Sequence, residues 1–145
     1  MSKYDYFIAG RWRNKDNVKL VLDAVRASGK TAYCFIENDY KGEVIEFDVN
    51  DNPDVFMKLS EQKPQNDPLI RKIFNKDMDA QKNSDAFLLV LPAGTSSHIE
   101  AGAAFGMGKR CYAVGQLEKT ETLYCIFDKI FPDINSLQLW LGIQH

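Results

Sequence analysis

The sequence is poor in the residues that would direct it to several common chemistries. Its 145 residues include only two histidines, His98 and His145, and three cysteines, Cys34, Cys111 and Cys125. Neither type recurs at metal-ligand spacing, so no metal site is expected. The cysteines lie in or beside apolar segments and read as buried thiols in a reducing cytoplasm. No apolar run approaches the roughly 20 residues that span a bilayer. The net charge of −2 leaves no basic footprint for nucleic acid. Met1 to Asp5 runs straight into a strand pattern, so no signal peptide is expected. Internal repeats and low-complexity tracts are absent. What is there is 45% hydrophobic and 26% charged, a composition expected of one globular domain, 1–145, with a substantial core.

One stretch organises the rest. Phe87-Leu88-Leu89-Val90-Leu91 is an unbroken apolar run of strand length. Such a run predicts a strand covered on both faces, as in a parallel sheet. Pro92 ends it. Ala93 to Ser96 reads as a loop of small residues. Ser97 is expected to open a helix that runs to about Met107, with Gly108 as its stop. A strand, a small-residue loop and a helix N-terminus form a ligand-binding corner at the carboxyl edge of the sheet.

Around that stretch strands and helices alternate. Tyr4 to Gly10 reads as the first strand, followed by a basic loop that carries Arg11 and Arg13. Asn17 to Ser28 is an amphipathic helix with Val18, Val21, Leu22 and Val25 on one face, Asp16 as its cap and Gly29 as its stop. Thr31 to Ile36 reads as the second strand. Glu37 to Gln62 is irregular. Glu43 to Phe47 alternates imperfectly and Pro53 to Ser60 reads as a short helix; a long irregular segment in a compact domain is often a lid or substrate loop. Asp67-Pro68 starts a helix to about Lys82. Arg110 to Gly115 is a fourth strand, Lys129 to Phe131 a brief fifth, and Ile134 to Leu141 a last helix with Leu137, Trp140 and Leu141 inward. The pattern predicts a three-layer α/β fold, flavodoxin-like, with a parallel five-stranded sheet of order 2-1-3-4-5.

Two carboxylates stand out. Glu100 falls in the first turn of the helix after the core strand. Ser97-x-x-Glu100 has capping-box spacing, so the pair would cap each other's backbone. Alternatively Glu100 is a catalytic carboxylate. Partial positive charge at a helix N-terminus favours its ionised form by roughly 0.3–1 kcal/mol, and a fixed carboxylate suits a nucleophile at a sugar carbon. The residues that follow, Ala101, Gly102, Ala103, Ala104 and Gly106, carry little bulk. Interior helix glycines cost about 0.8–1 kcal/mol each relative to alanine, so a close strand or a ligand is expected to need the space. The second carboxylate is Asp77. On a helical wheel it falls among Ile70, Ile73, Phe74 and Met78, where a charge must be paired, hydrogen-bonded or at a cleft edge. His98 lies about 200° round the helix from Glu100 and is not expected to share its ligand.

The segment from Asp85 to Lys109 resembles the nucleoside 2-deoxyribosyltransferase family, in which an apolar strand and a short loop lead to Glu, Gly-x-Ala and Gly-Lys. Here these are Glu100-Ala101-Gly102-Ala103-Ala104 and Gly108-Lys109. Tyr6-Phe7-Ile8-Ala9-Gly10 resembles the family's opening strand, and Phe74-Asn75-Lys76-Asp77 its Asn-x-Asp segment. The resemblance implies cleavage of an N-glycosidic bond in a nucleoside or nucleoside 5′-monophosphate. Glu100 would be the nucleophile, Asp77 would act on the leaving base, and Tyr6 would hold Glu100 by a hydrogen bond. Gly10, Arg11, Arg13, Gly94, Thr95, Ser96 and Ser97 would bind substrate, and Asp39, Tyr40 and the region after them would face the ligand. It implies a homo-oligomer, with Phe105, Met107 and Tyr124 as candidate contacts, and neither a metal nor an organic cofactor.

The chain departs from the family at one place. Many of these transferases carry an Asp six residues before the Glu, and related monophosphate hydrolases carry a Ser. This chain has Gly94 there. Neutral hydroxyls at a helix N-terminus, with Arg11 or Arg13 opposite, suit a phosphate better than a 5′-hydroxyl. Two alternatives stay open: a nucleotide-binding sensor without turnover, and an NAD-cleaving domain of the Toll/interleukin-receptor type.

Overall fold

The computed structural model describes residues 3–38 and 68–143. The expectations for Asp39, Tyr40, the segments at 43–47 and 53–60, Asp67 as a cap, and His145 fall outside these residues. The described elements are β1 (Tyr4–Ala9), α1 (Lys15–Ala27), β2 (Ala32–Cys34), α2 (Pro68–Lys82), β3 (Ser84–Val90), α3 (Thr95–Gly106), β4 (Arg110–Val114), β5 (Lys129–Phe131) and α4 (Ile134–Ile143). Three 3-10 turns join them, at Trp12–Asn14, Phe35–Glu37 and Thr122–Ile126.

The five strands form one sheet in the order β2-β1-β3-β4-β5. Every pairing is parallel. This is the α/β fold and strand order that the alternating pattern predicts. Alternate residues of each strand pack into opposite layers. Tyr6, Ile8, Leu88, Val90 and Tyr112 meet Val18, Val21 and Val25 of α1 and Leu137 and Leu141 of α4. Phe7, Ala9, Phe87, Leu89 and Cys111 meet Ala80 of α2 and Ala101 and Ala104 of α3. Phe87, Leu88 and Leu89 are wholly buried, so β3 is covered on both sides as its unbroken apolar run requires.

Element ends differ from the sequence expectation where side chains bond across the fold. The second strand stops at Cys34 and turns into Phe35–Glu37. Arg26 of α1 holds that turn through two hydrogen bonds to Glu37, of 2.6 and 2.8 Å, and a third to the Ala32 carbonyl. Helix α1 starts at Lys15 after Asn14, rather than behind an Asp16 cap. The Asn14 amide instead donates to the Leu91 carbonyl at 3.3 Å, tying the start of α1 to the end of β3. Cys34 and Cys111 are buried as expected, but Cys125 is exposed, in a Thr122–Ile126 turn that has no buried residue.

Glycines serve two different purposes here. Gly115 has φ of +120°, and a Cβ there would lie 2.8 Å from the Leu91 carbonyl oxygen. Gly102 and Gly106 would place a Cβ in open space, so neither makes room for a strand. Gly115→Ala should therefore destabilise the protein by about 1–3 kcal/mol. Gly102→Ala should stabilise it by about 0.5–1 kcal/mol through helix propensity alone. Urea denaturation of the two variants beside the parent checks both signs.

Candidate active site

Strands β1 and β3 end side by side at the centre of the sheet, where the strand order reverses and ligands bind in open α/β folds. Their ends are joined directly. The Ser97 hydroxyl donates to the Gly10 carbonyl at 2.9 Å. Gly10 itself is required by packing, since a Cβ would sit 2.8 Å from Val18 Cγ2.

The Ser97 bond decides the first question about Glu100. Helix α3 begins at Thr95 with Gly94 as its N-cap, two residues earlier than expected. Ser97 is thus inside the first turn and spends its hydroxyl on Gly10, so the capping box does not form. Glu100 stands in the second turn, where the helix N-terminus no longer favours its charge.

The Glu100 carboxyl is instead half-buried and makes no side-chain hydrogen bond among the described residues. Burial, and after it the nearby Asp77 carboxylate, push its pKa up to about 8. The expected ionised, helix-stabilised carboxylate is corrected to one that is mostly neutral at pH 7. Asp77 approaches from α2, also raised above its usual range, first by burial; the Tyr33 hydroxyl and Lys76 pull the other way.

The inward face of α2 is rotated from the wheel drawn on its apolar residues. Ala80 and Gln81 are buried and Asp77 is partly so, whereas Phe74 is 52% exposed. Gln81 Nε2 donates to the Glu100 main-chain carbonyl at 2.7 Å, pinning the middle of α3 to α2. Its Oε1 is buried without a partner among the described residues. The Tyr33 hydroxyl donates to Asp77 Oδ1 at 3.0 Å and accepts from Asn38 Nδ2 at 2.8 Å. Tyr33, Asn38 and Gln81 were not singled out in the sequence. Only Gln81 carries a local signal, one helical turn after Asp77.

The remaining candidates divide. Tyr6 does not hold Glu100. Its ring packs in the layer of α1 and α4, on the opposite side of the sheet from α3, and no hydrogen bond joins the two. Its hydroxyl is pushed up to about 12, first by burial and then by Tyr112 and Asp5. Arg11 is half-buried and Arg13 exposed, both at the Trp12–Asn14 turn that follows β1, with no ion pair among the described residues. Gly94 is half-buried, and Thr95 and Ser96 are exposed at the start of α3. His98 bonds the Gly94 carbonyl through Nδ1 at 2.8 Å and the Tyr124 hydroxyl through Nε2 at 3.1 Å, so it braces the loop. No cluster of three His, Cys, Asp or Glu suited to a metal occurs among the described residues. None of the described helices is long and apolar enough to cross a membrane. Of the candidate contact residues, Phe105 is 55% exposed, whereas Tyr124 packs against His98 and Phe127.

Among solved structures, the chain superposes on a 2-deoxyribosyltransferase from the psychrotolerant bacterium Bacillus psychrosaccharolyticus, with a TM-score of 0.65. The match covers 92% of this chain and 89% of the other at 18% identity. The chain has the fold of that enzyme. No family model and no curated protein matches it.

A buried carboxyl without a donor strains the folded state. Free glutamate ionises from its ordinary value of 4.5, whereas Glu100 in the folded chain keeps its proton to about 8. Stability is lost progressively across that window as pH rises, and the deficit is constant above it. Glu100→Gln should therefore match the parent in Tm at pH 4 and exceed it at pH 8. A variant that matches the parent in Tm at both pH values would overturn the buried, protonated Glu100.

Proposed function

We propose that the chain cleaves the N-glycosidic bond of a nucleoside or nucleoside 5′-monophosphate and passes the sugar to water or to another base. The observation that carries this reading is the meeting of Asp77 and Glu100 in one half-buried site, where the Asp77 charge opposes ionisation of Glu100. The fold likeness to a 2-deoxyribosyltransferase supports it.

Such a pair holds one proton between two carboxyls near neutral pH. In the productive arrangement Asp77 carries the proton and Glu100 the charge. A Glu100 oxygen bonds to the anomeric carbon as the carbon–nitrogen bond breaks. The bonding electrons leave on the base nitrogen, which takes the Asp77 proton. The glycosyl ester is then released by water or a second base, with Asp77 as the general base. The oxocarbenium-like transition state is cationic and lies beside Glu100, where burial strengthens their attraction.

Incubation with a panel of nucleosides, nucleotides and NAD, assayed for free base, tests the reading. Release of base from nucleosides or monophosphates supports it. Release from NAD alone moves the chain to the NAD-cleaving class, and binding without release makes it a sensor. Glu100→Gln should abolish turnover. For the parent, kcat/KM should fall as pH rises through about 8, where the pair loses its last proton. Asp77→Asn should remove that alkaline fall and lower kcat more than it raises KM, because a general acid acts in the transition state.

The substrate's 5′ end is expected at the Gly94–Ser96 loop. A carboxylate at position 94 would oppose a phosphate by about 4 kcal/mol per unit charge at 4 Å and an effective dielectric of 20. Glycine removes that opposition, and Arg11 and Arg13 supply charge. A nucleoside 5′-monophosphate should accordingly be used at least as well as the free nucleoside. Arg11→Ala and Arg13→Ala should lower kcat/KM for the monophosphate and leave the nucleoside unaffected. A strong nucleoside preference that neither variant alters would reject the phosphate subsite.

A further inference from the structure

The two carboxyls of the site are held unequally. Asp77 Oδ1 receives the Tyr33 hydroxyl at 3.0 Å, and Asn38 Nδ2 donates to that same hydroxyl oxygen at 2.8 Å. The Asn38 donor occupies a lone pair of the phenol oxygen, and the phenol proton points at Asp77. Glu100 has no matching donor among the described residues, although Gln81 fixes its main chain. The described neighbours agree with this asymmetry. Asp77 faces Tyr33 from β2, Lys76 from its own helix and Glu100 from α3, whereas among the described residues Asp77 is the charged group that acts on Glu100.

We propose that Tyr33 and Asn38 are positioning residues that keep the charge of the carboxyl pair on Asp77, and its proton on Glu100, in the free protein. The inference rests on the glycosidic reading above for its purpose, but not for its physics. The free site then holds a neutral Glu100 that is not yet a nucleophile. Turnover begins when the Glu100 proton passes to an Asp77 oxygen. That leaves Glu100 charged toward the sugar and Asp77 protonated toward the base, with no proton gained or lost. The Tyr33 hydrogen bond sets how readily Asp77 gives that proton up, because a carboxylate stabilised by a donor is the conjugate of a stronger acid.

The ring of Tyr33 stacks on Phe7 with centroids 5.2 Å apart, so Tyr33→Phe keeps the packing and removes only the hydroxyl. Carboxyl titrations of Asp77 and Glu100 are read by carbon NMR on the ligand-free parent, on Tyr33→Phe and on Asn38→Ala. In the parent, Asp77 should ionise well before Glu100. In Tyr33→Phe, Asp77 should titrate higher and Glu100 lower, shifting the ratio of the two proton placements roughly tenfold to a hundredfold, as one hydrogen bond to a charged group does. Asn38→Ala should shift both in the same directions by less. Titrations in Tyr33→Phe that coincide with the parent overturn the proposal, as does a parent in which Glu100 ionises first. The measurement needs no substrate, so it stands or falls separately from the release of free base. A purely structural Tyr33 would change unfolding and leave both titrations in place.

Discussion

Parallel pairing of β1 with β3 runs through the middle of the sheet from Tyr4–Ser84 to Ala9–Leu89. Both strands are covered above and below, so their register is fixed by two cores at once. A slip of one residue would exchange Phe7 and Ala9 for Tyr6 and Ile8 and place the wrong volumes in each layer. With that register set, the ends of the two strands lie together and the loops leaving them bond across the gap. Ser97 reaches Gly10, and Asn14 reaches Leu91. The site's floor is therefore a consequence of core packing rather than of any interaction made for a ligand.

Helices α2 and α3 cover the same face of the sheet, and small side chains let them settle there. Ala80, Ala101 and Ala104 are the buried contacts of the two helices with the sheet. The Asp77 carboxylate of α2 then lies near enough to add to burial in opposing ionisation of Glu100 on α3, while Asp77 has the Tyr33 donor to offset its own burial. The exposed Gly102 and Gly106 belong to a different category, since they border open space. Low bulk along α3 thus has one explanation at the alanines and another, outside the described contacts, at the glycines.

The fold was legible because its signals are local and repeated: an unbroken apolar run for β3, a valine stripe for α1, and strands alternating with helices. Glu100 and Asp77 were legible as residues because each breaks an apolar or small-residue pattern. Their environment was not. Whether Ser97 caps its own helix or bonds Gly10 depends on a contact 87 positions away in sequence. Whether Tyr6 or Tyr33 serves the site depends on which layer each strand position faces. Motif likeness at Tyr6 carries no information about that parity. Tyr33 sits on a strand of three residues whose aromatic neighbours all read as core, and only the hydroxyl's reach to Asp77 distinguishes it.

Burial of Glu100 keeps it protonated in the free protein, and on the proposed mechanism that is an advantage. A carboxylate in water is screened and already solvated, so a passing positive charge gains little from it. A carboxyl in a partly desolvated site resists ionisation until a cation forms beside it. The attraction is then strong because water is largely excluded. The same desolvation that pushes Glu100 to about 8 therefore favours the cationic transition state over the neutral bound substrate, the differential that accelerates a reaction. Asp77 extends the effect. Its charge opposes ionisation of Glu100 in the free site, and after proton transfer it becomes neutral toward the leaving base. The stability lost by placing two acids together is the difference that substitution at Glu100 recovers, and an arrangement that only held the fold together would have no reason to retain it.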